Sequence, residues 1–144
     1  MPGITVGVDG SETSYRALEW AMKEAGLRQV RLNVLAVNEV AANQWTGHPM
    51  VTPEDEAETE QARSWTEESI SKIAGQLGGA QPSSISVRAM NGFSAEELIK
   101  ASADSDLVVV GQRGHGRFAP LVGSTSTKVV HHAKSPVVVV PSDK

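Results

Sequence analysis

Short apolar runs rich in valine and isoleucine alternate strictly with segments of helical period, and this alternation limits the chain to few folds. The runs are Ile4–Val8, Leu32–Val37, Ser84–Met90, Leu107–Val110 and Val137–Val140. Most lack the polar-apolar alternation of a strand with one wet face, so they read as strands buried on both sides. Between them, Tyr15, Leu18, Ala21, Met22 and Ala25 fall on one face of a helix that Gly26 is expected to stop. Ile70, Ile73, Ala74 and Leu77 form the buried stripe of a second helix, from about Glu54 to Gly78-Gly79. Ser94-Ala95-Glu96-Glu97 has the spacing of a capping box and opens a third helix that ends near Ala103. Ser124 starts a fourth, carrying Val129 and Val130. The segment from Asn38 to Pro53 has no clear period and reads as a long loop.

Five strands and four helices in this order predict an α/β fold, a five-stranded parallel sheet with helices on both faces and right-handed crossovers. The expected strand order is 3-2-1-4-5. Such sheets bind ligands beyond the carboxyl ends of the strands, where the order reverses. Here that point lies between the first strand, ending at Asp9, and the fourth, ending at Gly111.

The segment after the fourth strand suits that location. Gly111–Ser124 reads GQRGHGRFAPLVGS and leads into a helix start. Glycines let a loop turn its N–H groups toward an anion. A helix N-terminus adds unpaired N–H groups and a positive dipole end. Arg113 and Arg117 add mobile positive charge. The candidate is a phosphate-binding loop built from Gly111, Gly114, Gly116, Arg117, Gly123 and the helix start at Ser124, with Asp9 a strand-end cap or an acceptor for the base or ribose.

Competing chemistries are poorly served. There is no GxxxxGK[ST]. Gly114-His115-Gly116-Arg117-Phe118-Ala119 matches GxGxxA, but it starts beyond the strand end, Pro120 comes directly after it, and only one strand remains. There is no GxSxG or HExxH, and His48, His115, His131 and His132 lack metal-ligand spacing with acids. Binding is favoured over turnover. With 144 residues a single domain spanning 1–144 is expected. No secretory signal is visible, and no apolar run nears the roughly 20 residues a membrane span needs. The absence of cysteine fits a reducing cytoplasm. Net charge is −4, with Glu54, Asp55, Glu56, Glu58, Glu60, Glu67 and Glu68 in one segment; that segment reads as a solvated helix face or an acidic docking surface, not a nucleic-acid site.

Val6-Gly7-Val8-Asp9-Gly10-Ser11, Ala17-Leu18-Glu19-Trp20-Ala21, Ala95-Glu96-Glu97-Leu98-Ile99, Asp106-Leu107-Val108-Val109-Val110-Gly111, Gly123-Ser124-Thr125-Ser126 and Pro136–Val140 together resemble the universal stress proteins over nearly the whole chain. The resemblance implies a Rossmann-like sheet of the adenine-nucleotide alpha-hydrolase type. In one branch it implies ATP binding through Gly-x2-Gly-x9-Gly-[Ser/Thr]. Gly111, Gly114, Gly123 and Ser124 match, with eight residues rather than nine between the second and third glycines. Carried over, Gly7, Asp9 and the backbone of Val37 would face the nucleoside, and Val110 and Gly111 would flank it. Gly114, Gly116, Gly123, Ser124 and Thr125 would surround the phosphates, with Mg2+ as companion. The resemblance further implies a stress-response regulator with at most weak ATP hydrolysis, and a homodimer through the edge strand Val137–Val140. An interaction module of the same fold without ATP stands as the alternative.

Overall fold

The computed structural model describes residues 3–112 and 124–141. The chain runs β1 (Gly3–Val8), α1 (Glu12–Arg28), β2 (Leu32–Glu39), β3 (Ala41–Ala42), β4 (Pro49–Met50), α2 (Pro53–Leu77), β5 (Ile85–Gly92), α3 (Ser94–Ser102), β6 (Ser105–Gly111), α4 (Ser124–His132) and β7 (Val137–Val140). The main sheet has the order β5-β2-β1-β6-β7, and every pairing in it is parallel. Since β3 and β4 lie outside it, this is the expected 3-2-1-4-5 order, reversing between β1 and β6.

Side-chain alternation along each strand separates two cores. Ile4, Val6, Val34 and Val109 point to one face with Leu18 and Met22 of α1 and Ile73 of α2. Leu35, Val37, Val108 and Val110 point to the other, with Leu98 of α3 and Val129 of α4. Burial on both faces explains the unbroken valine runs of β6 and β7. At the joint of the two helices on the first face, the Tyr15 and Trp65 rings meet edge-on, 6.3 Å between centroids.

Three local readings are corrected. The 38–53 segment is not all loop, because β3 and β4 pair as a short antiparallel ribbon. Asn43 closes it: its side-chain oxygen accepts from the N–H groups of Trp45 (2.8 Å) and Thr46 (3.0 Å), and Gly47 supplies the positive φ of 74°. The first helix does not stop at Gly26 but continues to Arg28, and Gln29 takes the left-handed capping position at φ 55°. Ser94 does not cap α3. The N-cap is Phe93, without a side-chain cap bond, and Ser94 is the first helical residue. A carboxylate from the neighbouring strand, Glu39, accepts both its N–H and its hydroxyl, each at 2.9 Å.

Candidate functional site

The carboxyl ends of β1, β2 and β6 and the start of α4 surround one depression. β1 leaves the sheet through a tight polar turn. The Asp9 carboxylate accepts the Ser11 N–H at 2.9 Å, the Asp9 N–H donates to Ser14 Oγ at 3.2 Å, and Gly10 has φ 85°. Ser11 caps α1 by accepting the Ser14 N–H at 3.1 Å. The turn therefore holds an exposed carboxylate beside the point where the sheet order reverses.

On the far side, Gly111 ends β6 against this same turn. A Cβ there would lie 2.7 Å from Thr13 Cγ2, so only glycine lets β6 end so close to α1. Gly7 has a similar role deeper in β1, where an added Cβ would meet Leu98 Cδ1 at 2.7 Å. The first turn of α4 is tied to β6 through Ser126 Oγ, which donates to the Gln112 carbonyl at 3.2 Å.

At the mouth of β2, Asn38 gathers three elements. Its amide donates to Asn91 Oδ1 of β5 at 2.9 Å and to Asp55 of α2 at 3.3 Å, and Thr59 donates to the same Asn91 oxygen at 2.6 Å. Asp55 forms a capping box with Thr52: its carboxylate accepts the Thr52 N–H at 2.9 Å and hydroxyl at 3.0 Å, and its own N–H donates to Thr52 Oγ1 at 3.2 Å. These bonds to Thr52, backbone first, hold the Asp55 carboxyl below its ordinary value.

Six of the expected site residues, Gly7, Asp9, Val37, Val110, Gly111 and Thr125, line one small hollow. It adjoins a larger cleft of about 1120 Å³ that extends between β2, α2 and α3. Ser124 opens α4. Gly114, Gly116, Arg117 and Gly123, together with Arg113, lie outside the described residues. The structure also brings in residues that the sequence reading did not single out for the site: Asn38, Glu39, Ser94 and Lys128 line the cleft. Lys128 carried a signal, since it stands one helical turn beyond Ser124. Glu39 and Ser94 carried none, because their pairing joins separate elements. Among the described residues, no three His, Asp or Glu side chains are grouped to hold a metal. No described helix is long and apolar enough to cross a membrane.

Comparison with known proteins decides the lineage. The model of the universal stress protein family matches residues 2–141. The chain belongs to that family. A universal stress protein of Mycolicibacterium smegmatis is 36% identical over 142 residues, covering 98% of this chain and 48% of the relative. The chain thus spans about half the length of the curated relatives it matches. Among solved structures, the universal stress protein UspA from Lactobacillus plantarum superposes with a TM-score of 0.70 at 23% identity, covering 96% of this chain and 97% of its own, a likeness of fold. The universal stress protein from Archaeoglobus fulgidus in complex with dAMP gives a TM-score of 0.63 at 25% identity, covering 97% of this chain and 98% of its own.

Proposed function

We propose that this universal stress protein domain binds an adenine nucleotide, ATP with Mg2+ in the first instance, and acts as a small cytoplasmic regulatory module of a stress response. One observation carries the reading: residues from β1, β2, β6 and α4, far apart in sequence, converge at the reversal of the sheet. The dAMP held by the Archaeoglobus fulgidus relative supports an adenine nucleotide as occupant. In this reading Gly7, Asp9 and Val37 face the nucleoside beside Val110 and Gly111. The N–H groups at the start of α4 and the loop glycines Gly114, Gly116 and Gly123 take the phosphates, with Arg117 adding charge. In this reading occupancy by the nucleotide is the signal.

Equilibrium dialysis of the purified protein against labelled ATP and AMP tests this reading. Saturable binding of either supports it, and binding of neither refutes it. Gly123→Glu should abolish binding, because the side chain and its charge would fill the space of a phosphate. The loop spacing of eight residues favours a second reading, an interaction module that holds no ATP. Absence of bound nucleotide with intact folding would select it.

Self-association through β7 belongs to the same proposal. One sheet edge, β5, alternates in outward polarity with Ser86 and Arg88. The other, β7, is four valines. An apolar edge is a site for strand pairing unless it is covered.

A further inference from the structure

The polarity of one hydroxyl in the cleft is fixed by hydrogen bonding. Ser94 Oγ has one proton, and it goes to Glu39 Oε1 at 2.9 Å, the oxygen that also accepts the Ser94 N–H. Ser94 Oγ lies 3.0 Å from Thr125 Oγ1. With its proton committed to a carboxylate, Ser94 can only accept in that second bond, so Thr125 donates. A hydroxyl has one donor and two acceptor positions. Thr125 Oγ1 therefore has only lone pairs left to offer. It has no proton to give a phosphate oxygen.

The charge around it points the same way. Asp9, Glu39, Glu58 and Glu96 line the cleft, and Lys128 is the one basic residue among its described lining. These carboxylates would oppose a bare polyphosphate, and a divalent cation carried by the phosphates would offset them. Since no cluster of acids or imidazoles forms a cation cage among the described residues, such an ion would arrive with its ligand and keep most of its waters.

We infer that Thr125 Oγ1 is a subsite for the divalent cation or its bound water carried by a nucleoside di- or triphosphate, and that Glu39 is a positioning residue that sets this polarity through Ser94. The inference rests on the nucleotide reading above. Removing the acceptor frees the Thr125 proton to turn toward a phosphate oxygen, so selectivity passes from the metal complex toward the metal-free nucleotide.

The test is calorimetric titration with ADP in MgCl2 and in EDTA, with AMP as a reference, on the wild-type protein and on Glu39→Ala, Ser94→Ala and Glu39→Gln. Circular dichroism melts confirm that each variant is folded. The wild type should prefer Mg2+·ADP over ADP. In Ser94→Ala and Glu39→Ala that preference should fall by roughly 10–100-fold, the scale on which outer partners tune a metal ligand. Glu39→Gln keeps an acceptor oxygen without the charge and should retain the preference. An unchanged preference in both alanine variants overturns the inference, as does equal loss in Glu39→Gln and Glu39→Ala, which would make charge the cause. Wild-type binding of ADP without any preference also overturns it while leaving the nucleotide reading intact. Wild-type binding of none of these nucleotides removes both.

Discussion

Gly26 lies inside α1, where alanine would ordinarily be the better residue by about 1 kcal/mol. It is glycine because the Ala80 carbonyl oxygen approaches its α-carbon so closely that a Cβ would fall upon it. Gly26→Ala should therefore destabilise the protein by about 1–3 kcal/mol, the range for forcing atoms into a packed interior. Urea denaturation checks this, and a gain in stability would mean that the contact yields. The same residue shows where sequence reading runs out. Glycine can signal a positive φ or a close neighbour, and only the partner's position tells which. Gly10, at φ 85°, is of the first kind, and Gly26 and Gly111 of the second. Trp45 makes the opposite case. It is 92% exposed, so Trp45→Ala should change the unfolding free energy, read from urea denaturation, by no more than about 0.5 kcal/mol.

Elements were legible in their existence and less so at their ends. The valine runs and helical stripes located every strand of the main sheet and every helix, because burial on both faces leaves an unmistakable pattern. Caps obey local competition. Ser94 has the spacing of a capping residue, yet the helix begins at Ser94 itself after Phe93, and the Ser94 N–H and hydroxyl both go to the Glu39 carboxylate on the adjacent strand. The start of α2 shows the reverse, a local box that forms. Thr52→Ala should cost about 1 kcal/mol, as cap removal commonly does. The pH dependence has a definite sign. Because the Asp55 carboxyl is held below its ordinary value by Thr52, its contribution is present above the unfolded value and is lost as pH falls through the lower folded one. Asp55→Asn should flatten that portion of the acid limb of stability. Urea midpoints of both proteins over a series of acidic pH values will show it, and parallel curves would count against the capping role.

For the molecule as a whole, the sheet order and the place of the cleft followed from the alternation of elements and from the reversal rule. The link from Glu39 through Ser94 to Thr125 did not, because it joins three elements that meet only once the sheet is formed. If β7 pairs with its counterpart in a second copy, light scattering after gel filtration should give twice 15.2 kDa, and a charged replacement such as Val138→Lys should halve it. The two faces of the sheet are also unequal. Among the described residues the core beneath α1 and α2 includes fifteen buried side chains, and that beneath α3 and α4 includes six. Opening free energy follows buried apolar contact, so amide protons of α3 and α4 should exchange with deuterium sooner than those of α1. The cleft is lined by α2 on one side and by the starts of α3 and α4, in the weaker layer, on the other, and a guest binding there would favour the closed form by mass action. Occupancy would then be written chiefly into the breathing of two short helices, legible to any macromolecule that grips them only when they are still.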